Sequence, residues 1–286
     1  MKQIFWYRGE WLSNEPMLSG PLQISFWSAS TVFDGARAIK GALPDIDLHC
    51  QRVVRSAKAM LLSPGLKPAE IEALCREAVR RLPQDLDYYI RPMFFSTNQG
   101  VAPEGNDTEF VLAVFEAPLP DAVAGSACLS SFRRCATDQA PTDAKTGSLY
   151  PNGQRALKEA RERGFDLPLL LDPNGNVAEF SVANIWIVKD GVARTPAANG
   201  TFLSGITRRR LIGLLREDGI PVEEVTLTVA DVHAADEIIV CGNFGKIQAI
   251  NRFEDRALTP GPVFERARQL YMGFVDSTRA SQTAAE

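Results

Sequence analysis

Residues 140–152 read Ala140-Pro141-Thr142-Asp143-Ala144-Lys145-Thr146-Gly147-Ser148-Leu149-Tyr150-Pro151-Asn152. One lysine stands between small residues, and a tyrosine follows five positions later. Pro141, and Gly147 with Pro151, argue against a continuous helix. Most lysines occupy charged faces, whereas this one has Ala144, Thr146 and Gly147 beside it. Partial burial lowers a lysine's pKa, because desolvation disfavours the ammonium form. A neutral amine is a nucleophile, suited to a Schiff base with a carbonyl substrate or with pyridoxal phosphate. On these residues alone, an exposed loop lysine is the alternative.

The chain around this stretch has 286 residues, room for one large domain or two ordinary ones. A net charge of -4 argues against nucleic acid as the main partner, since a basic stripe is the expected footprint there. No apolar run is long enough for a transmembrane helix, and residues 1–10 lack a signal-peptide core. The cysteines Cys50, Cys75, Cys128, Cys135 and Cys241 show no C-x-x-C spacing, which fits neither a disulfide framework nor zinc and points to a reducing cytoplasm. His49 and His233 are far apart, so no metal site is expected.

Upstream, residues 1–40 are β-rich, and residues 30–39 read as a strand interrupted by Gly35, the mark of a bulge or of a ligand's close approach. Spacing predicts a helix over 48–62, with Leu48, Val53, Ala57, Met60 and Leu61 on its apolar side. Its cations Arg52, Arg55 and Lys58 read by default as a solvated face. A second amphipathic helix is predicted over 68–82, with Ile71, Leu74, Cys75, Ala78 and Val79 as its stripe. Residues 87–95 form an apolar strand containing Arg91, whose charge needs an anionic partner, either an internal carboxylate or a ligand. Another strand covers 109–116. The Pro-rich stretch after it suggests a boundary, giving an N-terminal α+β domain over 1–118, a linker over 119–127 and a large C-terminal domain over 128–286.

Downstream, a short strand near 127–131 precedes the polar loop 132–139. A helix is predicted over 153–163, closed by Gly164. A strand over 166–171 meets the turn Asp172-Pro173-Asn174-Gly175-Asn176. Residues 184–189 and 192–196 form a hairpin across Asp190-Gly191. A buried strand over 238–241 ends at Gly242-Asn243, and residues 277–286 are expected to fray.

Two further features bear on chemistry. Glu179 lies between two predicted strands and reads either as a hairpin-tip carboxylate or as the acid that keeps a pyridine nitrogen protonated. Ser204-Gly205-Ile206-Thr207 opens a helix, offering either an ordinary N-cap or an anion site for a phosphate.

Taken together, the chain resembles the fold-type IV, class IV PLP-dependent aminotransferases and, within them, the branched-chain amino-acid aminotransferases. The markers are Phe33-Asp34-Gly35-Ala36-Arg37, Gln51-Arg52, Tyr89-Ile90-Arg91-Pro92, Ala144-Lys145 through Tyr150, Glu179 through Asn184, and Leu203 through Arg208. The resemblance runs over nearly the whole chain. It implies a two-domain α+β / α/β fold of the D-amino-acid aminotransferase-like type, with pyridoxal 5'-phosphate as cofactor. By that likeness Lys145 is the Schiff-base lysine, Tyr150 bonds the cofactor's phenolic oxygen, and Glu179 partners the pyridine nitrogen. Arg52, Ile206, Thr207 and Asn243 fall on phosphate-binding positions. Phe33, Gly35, Arg37, Tyr89, Arg91 and Phe244 fall on the substrate pocket. The expected partners are a small amino acid or amine and a 2-oxo acid, in a cytoplasmic homodimer or higher homo-oligomer.

The sequence departs from the family pattern in places. Asn243 stands where threonine is common, Phe244 where a small residue is usual, Asp34 where glutamate is common, and Ser28 in place of a pocket tyrosine. D-amino-acid transaminases, (R)-selective amine transaminases and aminodeoxychorismate lyases share the cofactor site and are the sister readings. The loop over 132–139 is a candidate lid, with Arg133 or Arg134 contacting a substrate carboxylate or simply exposed.

Overall fold

The computed structural model describes residues 1–283. The chain divides into two compact units, the first made of Met1–Leu119, Ala144–Leu149 and residues 275–283, the second of Pro120–Asp143 and Tyr150–Phe274.

In the first unit the elements are β1 (Gln3–Tyr7), β2 (Glu10–Leu12), α1 (Ile24–Trp27), β3 (Thr31–Phe33), β4 (Ala36–Ile39), α2 (Ile46–Ala59), α3 (Pro68–Arg80), β5 (Asp87–Ser96) and β6 (Thr108–Glu116). They form a sheet in the order β2-β1-β6-β5-β3, with β4 also paired to β5. β5 and β6 run antiparallel from Tyr88↔Glu116 to Ser96↔Thr108. A proline inside such a strand normally breaks a ladder. Here the other edge of β5 is shared: β3 takes residues 93–95 and β4 takes 87–90. Pro92 falls in the gap between them, and its carbonyl accepts from Asp34 N at 2.9 Å. Its missing N–H thus faces a break in the ladder, where no bond is forfeited. The interruption read at Gly35 is this same break.

The helices carry their apolar faces onto the core of Val53, Ile71, Cys75, Tyr88, Ile90, Phe94 and Leu112. On α3 the buried residues are Ile71, Cys75, Ala78 and Val79, at the expected helical spacing. α2 departs from expectation at both ends. It stops at Ala59, and Leu61 sits in the left-handed region with φ 61° and is exposed, so it is no part of the stripe. Arg52 is buried, contrary to the solvated-face default.

In the second unit the chain continues with β7 (Val123–Arg133), α4 (Tyr150–Glu162), β8 (Leu167–Leu171), β9 (Val177–Phe180), β10 (Asn184–Lys189), β11 (Val192–Pro196), α5 (Ile206–Glu217), β12 (Val222–Val225), α6 (Val229–Ala234), β13 (Glu237–Gly242), β14 (Lys246–Phe253), β15 (Arg256–Ala257) and α7 (Pro262–Thr283), the last ending within the first unit's residues. The sheet order is β12-β11-β10-β13-β14-β7-β8-β9, with β15 on β14. The β10–β11 turn has positive φ at both Asp190 and Gly191, as a two-residue type I′ hairpin requires.

Three differences from the sequence reading have local causes. β7 starts at Val123, so much of the stretch expected as linker is strand, held between β14 and β8. Pro151 does not block α4, because it lies in the first turn, where a missing N–H costs nothing. Residues 277–283 are helical rather than frayed; in that stretch Arg279 donates to Lys40 O at 3.0 Å. Residues 284–286 lie outside the described part.

Candidate active site

In the first unit, residues 145–146 are stitched into the fold by their backbone. Lys145 N donates to Ser56 Oγ at 3.0 Å, and Lys145 O accepts from Phe33 N at 3.0 Å. Thr146 Oγ1 donates to Thr31 O at 2.8 Å. The lysine backbone is therefore fixed between α2 and β3. The side chain is half-buried, with Nζ 4.8 Å from the Phe33 ring centroid. An aromatic face is a weakly solvating, electron-rich neighbour for an amine.

The Arg91 guanidinium stands near the same ring. It lies 5.9 Å from the Phe33 centroid, 5.4 Å from Tyr89 and 5.3 Å from Phe115. Its Nε is buried with no hydrogen-bond partner among the described residues. Gly35 explains how these rings fit. A Cβ there would lie 1.9 Å from Tyr89 Oη, so the close approach is by a tyrosine of this chain. Arg37 is fully buried and donates to Ala117 O at 2.6 Å, tying β4 to the end of the first unit's leading segment.

Behind these residues lies a buried cluster. Asp34 is fully buried and accepts from Arg52 Nε at 2.7 Å, Arg52 Nη2 at 2.8 Å and His49 Nδ1 at 2.7 Å. A carboxylate only accepts, so Nδ1 of His49 carries the hydrogen. Burial pushes the Asp34 carboxyl up, but the Arg52 charge and hydrogen bonds, with His49, outweigh it and hold it well below the usual carboxylate range. Two of Arg52's donors are thus engaged with Asp34, a bond the sequence reading did not anticipate.

In the second unit, Tyr150 opens α4 and is half-buried. Glu179 lies within β9 and is buried, which removes the hairpin-tip reading. Its carboxylate accepts from Asn184 Nδ2 at 3.1 Å and lies 3.3 Å from Arg134 Nε. Arg134 also donates to Thr201 O at 3.3 Å, while Arg133 donates to Pro173 O at 3.1 Å. Neither arginine is simply exposed and unengaged. One sits beside the Glu179 carboxylate and the other holds a turn.

Asn184 also donates to Leu203 O at 3.0 Å, just ahead of α5. A Cβ on Gly205 would lie 2.0 Å from Asn184 Oδ1, so only glycine allows this approach. Gly205 is the N-cap of α5 and supplies no side-chain cap; the first turn carries no acid. Ile206 and Thr207 are buried there. Such a terminus presents unfilled N–H groups and positive dipole to an anion. Asn243, on the β13–β14 turn, contributes a buried Nδ2 with no partner among the described residues. Phe244 beside it is 60% exposed. These donors suit a phosphate, and Glu179 suits a ring nitrogen.

The structure thus brings Lys145, Phe33, Gly35, Tyr89 and Arg91 together in the first unit, and Glu179 with Asn184 and the start of α5 in the second. Sequence reasoning named Arg134 as one of two candidate carboxylate contacts and Asn184 as the end of a motif, but it missed their place beside Glu179, and it missed Asp34 with His49 as partners of Arg52. For Arg134 the only available signal was an Arg-Arg pair, which does not say which of the two is buried.

Residues 31–253 match the amino-transferase class IV family. A branched-chain-amino-acid aminotransferase of Pseudomonas aeruginosa is 31% identical, over 95% of this chain and 92% of the relative. The Escherichia coli K12 protein of the same description is 29% identical, over 94% and 91%. Among solved structures, a Brucella abortus aminotransferase bound to PLP superposes with a TM-score of 0.94 at 40% identity, covering 96% of this chain and all of that one. A branched-chain aminotransferase of Thermoproteus uzoniensis, solved with norvaline, gives 0.87 at 29% identity, covering 96% and 95%. Matched across most of its length by sequence and by fold, the chain belongs to the class IV aminotransferases.

Proposed function

We propose that this aminotransferase uses pyridoxal 5'-phosphate to move an amino group between branched-chain L-amino acids and 2-oxoglutarate, with Lys145 as the residue that carries the cofactor. The observation that supports the substrate reading is Arg91. A cation with an unfilled buried donor is set among the rings of Phe33, Tyr89 and Phe115. Such a surface offers apolar faces to a branched side chain and a charged donor to a second carboxylate. One pocket that alternates between leucine and a dicarboxylic acid needs both.

Bound pyridoxal phosphate supplies an electron sink for the charge left when a Cα–H bond breaks. Lys145 holds it and, once released, its amine takes the Cα proton and returns it. The Phe33 face and the backbone bonds at Ser56 and Phe33 limit where that amine can swing. Glu179, oriented by Asn184 and Arg134, presents a carboxylate oxygen to the ring nitrogen. Tyr150 bonds the phenolic oxygen. The amides of Ile206 and Thr207, the Asn243 amide and Arg52 receive the phosphate. Gly35 and Arg37 in the first unit and Phe244 in the second are the further residues we assign to the substrate. We read the assembly as a homodimer, a point that light scattering tests. We read the setting as a reducing cytoplasm from the scattered spacing of the five cysteines. Within the described residues no helix is long and apolar enough to cross a membrane.

The test is a half-reaction followed by absorbance. The PLP-loaded protein receives L-leucine, D-alanine or (R)-1-phenylethylamine in separate cuvettes. Fast loss of the bound-cofactor band with L-leucine alone supports the reading. Preference for D-alanine or the (R)-amine moves the activity to a sister transaminase and directs attention to Asn243 and Phe244. Lys145→Ala abolishes turnover; substantial surviving transamination refutes its role.

A further inference from the structure

Lys246 opens β14 and is unusual on two counts. It is only 2% exposed, and its φ is 60°, in the left-handed region. Burying an ammonium is unfavourable unless it is hydrogen-bonded, and a non-glycine residue at positive φ is strained. Its Nζ donates to Asn243 Oδ1 at 2.6 Å and lies 5.5 Å from the Tyr271 ring centroid. An ammonium has donors only, so the amide oxygen of Asn243 has to face it. The amide nitrogen is then turned the other way. That nitrogen, Nδ2, is the buried donor without a partner among the described residues.

The position of this turn gives the orientation a use. β13 pairs with β10 so that Cys241 stands opposite Asn184. Asn184 in turn packs against Gly205, the N-cap of α5. The end of β13 and the uncapped start of α5 therefore flank one residue. Gly242 fits the same crowding: a Cβ there would come within 2.9 Å of Ala183 Cβ.

We propose that Lys246 is a positioning residue that locks the Asn243 carboxamide with Nδ2 toward the cofactor phosphate. Asn243 is then a phosphate donor only because Lys246 holds its oxygen. A threonine at 243 needs no such help, since its hydroxyl rotates to the acceptor by itself. This inference rests on the pyridoxal phosphate reading above.

The experiment compares equilibrium binding of PLP with that of pyridoxal, which lacks the phosphate, to the full-length protein stripped of cofactor. The dissociation constant of pyridoxal divided by that of PLP isolates the phosphate. Asn243→Ala lowers the ratio about tenfold or more, the size of a lost hydrogen bond to a charged group. Lys246→Met lowers it by a similar factor, and the double variant lowers it no further. Lys246→Gln, which can still donate to Oδ1, retains most of it. Asn243→Asp keeps the lysine pair but offers no donor, so it loses the ratio. In the Asn243→Thr background the ratio is high and Lys246→Met has no effect on it. The last comparison, with the phosphorus-31 resonance of the loaded protein as a second readout, separates positioning from general stability. A ratio unchanged by Lys246→Met in the wild-type background, or lowered equally in the Asn243→Thr background, overturns the proposal. If Lys246→Met fails to fold, the Asn243→Asp and Asn243→Thr pair decides: equal ratios overturn it. A wild-type protein that does not bind PLP at all overturns the cofactor reading and this inference with it. Tight PLP binding with insensitive ratios overturns this inference alone.

Discussion

Replacing Gly35 by alanine isolates the close approach that shapes the aromatic surface around Arg91. The new Cβ would stand 1.9 Å from Tyr89 Oη, 2.6 Å from Cζ and 3.2 Å from Cε1. Reaching ordinary contact requires the hydroxyl to retreat by roughly 1.5 Å, to about 3.4 Å or more. The ring cannot do so freely, since its centroid lies 5.6 Å from that of Phe115 and it carries the Arg91 guanidinium at 5.4 Å. Overpacking of this kind costs about 1–3 kcal/mol. Because the ring carbon Cζ is itself too close, Tyr89→Phe relieves only part of the strain, whereas Tyr89→Leu removes the obstruction. A double-mutant cycle of Gly35→Ala with Tyr89→Leu, read by urea unfolding, should therefore show favourable coupling of about 1–2 kcal/mol. Gly35→Ala alone should also raise KM for the 2-oxo acid more than it changes kcat, because Arg91 loses a supporting ring. Strict additivity of the two substitutions, or a Gly35→Ala protein as stable as wild type, would refute the steric argument.

Other outcomes follow from buried polar groups. Asp34→Asn leaves Arg52 and His49 buried against a neutral amide and should cost about 3–5 kcal/mol. The folded Asp34 titrates below its unfolded value near 3.9, so its contribution is complete above about pH 4 and is lost as the pH falls toward the folded value. Wild-type urea midpoints should therefore drop more steeply than those of Asp34→Asn as the pH falls below about pH 4. Glu237 is buried and accepts from Val263 N at 3.1 Å and Phe264 N at 2.7 Å, capping α7; Glu237→Ala strands those donors and should cost about 1–3 kcal/mol by urea unfolding. Native thiol labelling should reach the half-buried Cys135 first. Burial pushes the Cys128 thiol up to about 11 and the Cys241 thiol up to about 12, so both should react only after unfolding. Rapid labelling of Cys241 in the native protein would contradict its burial.

The sequence by itself determined the class of chemistry and most of the elements. Lys145, Tyr150 and Glu179 read alone left a loop lysine and a hairpin-tip carboxylate open, and it is the resemblance to the class IV aminotransferases, carried by motifs along the whole chain, that gave them roles. The stripe of α3 and the Asp190-Gly191 hairpin are legible locally, because periodicity and turn chemistry are properties of neighbours in the chain. Only the tertiary structure decided which cations are buried and what they face. Arg52 has the local context of a solvated helix face, yet Asp34, eighteen residues away, draws it inward. Arg133 and Arg134 are adjacent in sequence, but one holds a turn and the other stands beside Glu179. Gly35 read as a bulge or as a ligand's close approach, and the fold brings Tyr89 against it. Lys246 gave no signal at all. Its burial, backbone conformation and bond to Asn243 emerge only when β13 and β14 close the turn between them. Charge partners are chosen across the fold, where the energy of a buried ion depends on groups far away in the chain, and no local pattern encodes that choice.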